Sequence, residues 1–130
     1  MIFYNNDHKR FYYHSLKKCK VQDTYHLSLF YVLGIDKDCR NHIDDLYDFD
    51  RNQIKLKGLE KAWHTSGSFQ VSLLAFNLFN GYVDEKNIRQ STPYELFACE
   101  YSSFFIEAVK IRYPEYSRSI RSQTMEKRIW

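Results

Sequence analysis

The chain has 130 residues and a mass of 15.8 kDa, enough for one compact domain and too little for two of ordinary size. Hydrophobic residues make up 44% of it, which excludes a wholly disordered chain, and four glycines with two prolines are too few turn signals for a β-sandwich or small barrel. A formal charge of +3 is too small to announce a nucleic-acid binder.

Helical periodicity dominates, and no internal repeat or low-complexity segment interrupts it. Asn6 or Asp7 can cap a first helix running to about Lys20, with Phe11 or Tyr12, Leu16 and Cys19 inward. Asp23 can cap a second, Thr24 to Leu33, with His26, Phe30 and Leu33 on one stripe and Gly34 where a terminating glycine belongs. Asp36 can cap a third, Lys37 to Tyr47, burying Cys39, Ile43, Leu46 and Tyr47. Residues 48–57 are polar and irregular, with a short extended piece at Gln53 to Leu56 and a helical turn or two from Lys57 to Trp63. Ser66 or Ser68 should then start a helix over Phe69 to Asn80, ended by Gly81. It is apolar nearly all round, the mark of a central helix. Val83 to Ser91 reads as a charged loop. Thr92-Pro93-Tyr94-Glu95 supplies a cap, a proline at the first helical position and a glutamate to bond back, starting a short helix to Cys99. Ser102 or Ser103 opens the last clear helix, to Tyr113, with Phe104, Ala108 and Ile111 in register. The expectation is an all-α, single-domain orthogonal bundle of five to six helices around the buried helix Phe69 to Asn80. Residues 1–115 form the domain and residues 116–130 a basic C-terminal tail.

The apolar run Phe69 to Phe79 is about half of what a membrane span needs, so no membrane segment is expected. Asn5, Asn6 and Asp7 cut short the apolar start, so no secretory signal is expected either. Three cysteines, Cys19, Cys39 and Cys99, without a C-x-x-C pair read as reduced thiols in a cytoplasmic protein, the first two as small core residues. Eleven tyrosines and ten phenylalanines fit either a sticky interface or the codon usage of an AT-rich genome.

Charge placement says more than net charge. The tail carries Arg118, Arg121, Lys127 and Arg128 against Glu126, so its net +3 is the whole excess of the chain. The first helix is basic through Lys9, Arg10, Lys17, Lys18 and Lys20, while residues 36–50 hold six aspartates. Such segregation can orient a protein partner or a second copy of the chain, as in a homodimer. With Trp130, the tail residues are candidates for partner contact, and with Tyr116 for stacking on nucleic acid.

Several constellations could carry chemistry. Asp38, His42 and Asp45 fall at i, i+4 and i+7, a candidate divalent-metal set, although three ligands on one helix need help from another element. Asp48-Phe49-Asp50-Arg51-Asn52 opens like a calcium loop, but Gln53 and Leu59 stand where glycine and glutamate belong, so it reads as a turn with side-chain hydrogen bonds. His64, Thr65, Ser66, Gly67 and Ser68 precede the apolar helix and form a candidate anion or ligand loop. Asn77 and Asn80 read as polar hooks that fix loops. No nucleotide-binding motif occurs and no cofactor is implied.

The pieces HKRFY (8–12), HLSLFYVL (26–33), LYDFD (46–50), TSG (65–67), LAFNLFNGY (74–82) and IEAVKIRY (106–113) come in an order and spacing that resemble a family of small uncharacterised helical proteins of Firmicutes and their mobile elements (DUF6075). The resemblance spans roughly residues 3–116 and implies a cytosolic, mainly helical protein of low-GC bacterial or phage origin. It brings no activity or catalytic residue. Three functions follow as expectations. The first is a non-enzymatic protein-interaction module, in its concrete form an anti-CRISPR-like inhibitor of a bacterial defence protein. The second is a small-ligand or anion-binding protein or enzyme using residues 64–68. The third is a nucleic-acid accessory protein using the basic first helix and tail.

Overall fold

Of the expected start signals, Asp23 and Asp36 cap as read, whereas the first helix starts on Asn5 and not on Asn6 or Asp7, and the last helix starts after Tyr101 with no side-chain cap. The computed structural model describes residues 1–116. Helix α1 (Asn6–Cys19) is capped by the Asn5 side chain, which accepts the His8 N–H, and it ends on Lys20 at φ 62°. Its inner stripe is His8, Tyr12, Ser15, Leu16 and Cys19. Helix α2 (Thr24–Leu33) is capped by Asp23 through the His26 N–H. Gly34 ends α2, but at φ −72°, so left-handed backbone is not what it supplies. A Cβ there would lie 2.7 Å from His8 Cδ2 and 2.8 Å from Phe11 Cδ1: the glycine lets α1 lie close against the end of α2.

The expected third helix is broken. Asp36 caps α3 (Lys37–Asn41), His42 leaves helical geometry at φ −122°, ψ 32°, and α4 (Ile43–Leu46) follows. A 3-10 helix, Leu56–Glu60, packs on α4 just past the break, with Gly58 so close to the Asp45 backbone that a Cβ would overlap the Asp45 carbonyl oxygen. Between α4 and this turn lies an antiparallel hairpin. Strand β1 (Tyr47–Asp48) pairs with β2 (Gln53–Ile54), and Asn52 closes the loop at φ 52°.

Helix α5 (Ser66–Asn80) contains the expected apolar rod and starts one turn earlier, on a Thr65 cap; Gly81 ends it at φ 82°. The charged segment expected as loop is instead a 3-10 helix, Glu85–Ser91, kinked at Asn87. Helix α6 (Pro93–Leu96) begins on its proline, but the Thr92 hydroxyl donates back to the Arg89 carbonyl at 2.9 Å, so the expected reciprocal cap is absent. Helix α7 (Ser102–Arg112) buries Phe105 and Ala108, with Phe104 and Ile111 only half-buried.

The domain is all-α with one two-stranded hairpin. Residues 28–33 of α2 are buried without exception, because α1, α5 and α7 all pack on it. The centre is therefore shared: α5 is buried along most of its length but exposes Asn77 and Asn80, whereas α2 is enclosed from Ser28 to Leu33 and exposes Tyr25 near its start. Each large apolar side chain so buried contributes about 1.5–3 kcal/mol.

Candidate functional site

The loop at residues 64–68 is occupied by its own hydrogen bonds. The Thr65 hydroxyl accepts from the Ser68 N–H at 3.1 Å, and the Ser68 hydroxyl accepts from the Thr65 N–H at 2.8 Å, a closed capping box. His64 donates from Nε2 to the Gly58 carbonyl at 2.9 Å, which leaves Nδ1 to accept from the Ser68 hydroxyl at 2.9 Å. Burial lowers the His64 pKa, against a smaller raising effect of that carbonyl and of Asp36 and Asp38. A serine and a histidine in hydrogen-bond contact have the parts of a nucleophile and its base. Ser68 is 0% exposed, however, so no substrate reaches its oxygen. Thr65 and Ser66 face solvent and Gly67 is half-buried.

Trp63 joins this loop to the broken helix. Its ring stacks on His42 at 4.4 Å and 13°, and lies 3.9 Å from the His64 ring. Its indole N–H donates to Asp45 Oδ2 at 2.9 Å. His42 and Asp45 approach only to 4.0 Å, and the change of direction at His42 interrupts the stripe that would align them with Asp38. Among the described residues no three histidine, cysteine or acidic side chains converge as a metal set would. Asp48 Oδ1 accepts from the N–H groups of Asp50 and Arg51, the turn expected of that segment. Asn77 and Asn80 clasp Tyr82, one donating to its carbonyl at 3.1 Å and the other accepting its N–H at 3.1 Å.

Cys19 and Cys39 are buried, and burial pushes both thiol pKa values up; the half-buried Cys99 thiol donates to the Leu96 carbonyl at 3.3 Å. Two other histidines are buried: His8, not singled out from the sequence, and His26, placed by it on the inner stripe of α2. His8 is 0% exposed: Nε2 donates to the Tyr31 carbonyl at 2.7 Å and Nδ1 accepts the Tyr4 N–H at 2.9 Å. Burial lowers its pKa to about 4. Its place on the stripe with Tyr12, Leu16 and Cys19 was the available signal. His26 donates from Nδ1 to Asp23 at 2.8 Å, while its buried Nε2 has no hydrogen-bond partner and the ring packs among Phe30, Tyr47 and Phe79.

One apolar surface is not spent on the fold: Ile106 and Val109 are exposed on α7, and Tyr113, where the helix ends at φ −128°, and Tyr116 just beyond it are exposed too, Ile106 by 50% and Tyr116 by 65%. The amino group of Met1 lies 4.0 Å from Glu107, which brings exposed Met1 and Ile2 alongside. Arg112 fixes the end of the helix, donating to the Leu78 carbonyl at 2.8 Å with its guanidinium over the Tyr25 and Tyr113 rings.

The sequence matches DUF6075, a family of unknown function, over residues 1–125. The chain belongs to that family. The match runs beyond the point near residue 116 where the sequence resemblance stops, so DUF6075 takes in most of the basic tail. Arg118, Arg121, Lys127, Arg128 and Trp130 lie outside the described residues. No curated protein and no solved structure matches the chain. No helix among the described residues is long and apolar enough to cross a membrane.

Proposed function

We propose that this DUF6075 chain is a non-enzymatic protein-interaction module that presents the outer face of α7 to a larger protein. The observation that carries the reading is the exposed apolar patch of Ile106 and Val109 on α7 with Tyr113 and Tyr116 past its end, alongside the Phe105 and Ala108 face that the core consumes. The residues with catalytic chemistry support it, since each is engaged in holding the fold. A bacterial defence protein, in an inhibitor of the anti-CRISPR kind, is the partner class to test first, in keeping with the mobile-element resemblance.

The test is capture with the immobilised full chain from a low-GC bacterial lysate, run beside Ile106→Asp. Ile106 is half-exposed, so the charge leaves the core intact and circular dichroism should be unchanged. A partner retained near stoichiometry by the wild type and lost with I106D is expected. No retained protein, or retention indifferent to I106D, overturns the proposal. Concentration-dependent dimerisation abolished by I106D also overturns it, by assigning the face to a second copy.

A further inference from the structure

A second surface, remote from the α7 patch in its chemistry, is a cleft of about 700 Å³ between the start of α1, helix α3 and Tyr101. A volume of that order accommodates a small organic ligand. Three cations line it, Arg10, Lys37 and Arg40, against one carboxylate, Asp7. Asp7 is already engaged, since Arg10 donates to it at 2.6 Å. Arg40 is held from behind: Nη1 donates to the Gly34 carbonyl at 2.8 Å and reaches the Ile35 carbonyl at 3.4 Å. Its remaining N–H groups have no hydrogen-bond partner among the described residues, and Lys37 makes neither a hydrogen bond nor an ion pair there. Of the acids flanking Lys37, Asp36 is buried and accepts from the Cys39 N–H at 3.0 Å and the Tyr101 hydroxyl at 3.4 Å, and Asp38 does not line the cleft. The organic wall is Tyr4, part-exposed, set edge-on to Tyr101 at 5.4 Å.

We infer that this cleft binds a small phosphate monoester, with the phosphate on Lys37 and Arg40 and its flat organic portion against Tyr4. Two cations with donors to spare match the charge of about −2 on such a group. A guanidinium already fixed by backbone carbonyls loses little freedom when it forms the new bonds, which is the advantage of arginine at a phosphate site. The tyrosine face supplies apolar area that inorganic ions do not use.

The probe is adenosine monophosphate, titrated into the isotope-labelled full chain at neutral pH and about 0.15 M salt, an ionic strength that screens diffuse attraction beyond about 8 Å. Saturable shifts confined to the amides of residues 4–10, 35–41 and 101 are expected. Lys37→Glu, an exposed residue with no contact to lose, should weaken binding by about tenfold or more, the scale of one charge-assisted hydrogen bond. Lys61→Glu, exposed and outside the cleft, should leave it unchanged. Absence of saturable shifts up to about 10 mM, a concentration corresponding to negligible affinity, overturns the proposal, as does equal weakening by K61E. Phosphatidylcholine vesicles containing phosphatidic acid test the other source of a phosphate monoester. No co-sedimentation is expected, and co-sedimentation lost with K37E overturns the soluble ligand in favour of a lipid headgroup.

Discussion

His8 and His64 are the same device built at two depths. Each donates from Nε2 to a carbonyl of another segment and accepts at Nδ1 from a group beside a helix start. His8 ties the N-terminal arm and α1 to α2, while His64 ties the 3-10 turn at residues 56–60 to α5. The differences are in the surroundings. His8 is wholly enclosed and its Nδ1 partner is the Tyr4 amide, which can only donate. His64 is half-buried, and its Nδ1 partner is the Ser68 hydroxyl, which can donate or accept. Hydrogen-bond pattern therefore does not rank the two; enclosure and the versatility of the partner do.

The largest expected effect follows from that ranking. His8→Ala leaves the Tyr31 carbonyl and the Tyr4 amide without partners inside a closed core and opens a cavity, so it should cost about 3–5 kcal/mol in urea unfolding. His64→Ala, at the edge where water can replace the lost bonds, should cost about 1–2 kcal/mol. Equal losses would break the comparison. Next come the glycines at the two junctions. At Gly58 an added methyl overlaps the Asp45 backbone, whereas at Gly34 it meets the enclosed His8 ring and the Phe11 ring, with the Phe30 carbonyl 3.1 Å away. Both substitutions should destabilise, Gly58→Ala by about 3 kcal/mol and Gly34→Ala by about 2 kcal/mol, the overlap with backbone being the deeper of the two. A larger loss at Gly34 would show the α1–α2 junction to be the stiffer of the two.

These junctions also mark where sequence stops being legible. Asp23 and Asp36 cap as read, and α2 falls on its expected bounds, because a cap acts within a single turn. The break at His42 is invisible to periodicity; it stands where the backbone of α4 lies against Gly58, thirteen positions from Asp45. Gly34 looked like an ordinary helix terminator, yet its reason lies in α1, again a contact of two distant segments. The loop at residues 64–68 is rich in ligand-type residues because helix caps use the same residue types, and only the reciprocal bonds of Thr65 and Ser68 separate the two uses. The α7 patch was half-legible. Ile106, Val109 and Tyr113 stand at helical spacing, but the buried face is centred on Phe105 and Ala108, one residue away from Phe104, so the sequence phase hid what was left exposed.

The smallest effect, a pH dependence, tests the comparison most closely. His8 binds its proton with a pKa of about 4 in the fold against an ordinary 6.5. The unfolded chain thus takes up a proton first as pH falls. The contribution of His8 to stability is complete above 6.5 and is lost as pH falls from there through about 4. A proton on His8 Nδ1 would face the Tyr4 N–H, donor against donor. On His64 the Ser68 hydroxyl can turn to accept that proton and donate instead to the Thr65 carbonyl, 3.2 Å away. The carboxylates enter later. The Arg10 hydrogen bond holds Asp7 below its ordinary 3.8, and His26 hydrogen bonds hold Asp23 there despite burial, so both lose their contribution only beneath that value. Between pH 7 and 5 the urea midpoint should therefore fall in the wild type. Most of that fall should persist in His64→Gln, which removes the smaller share of a half-buried ring whose pKa is also lowered, and most of it should be lost in His8→Gln. In a histidine titration by NMR, His8 should also protonate at lower pH than His64. A fall abolished by H64Q and kept by H8Q would place the acid-sensitive joint at α5, and the adaptable hydroxyl would then not be what distinguishes the two histidines.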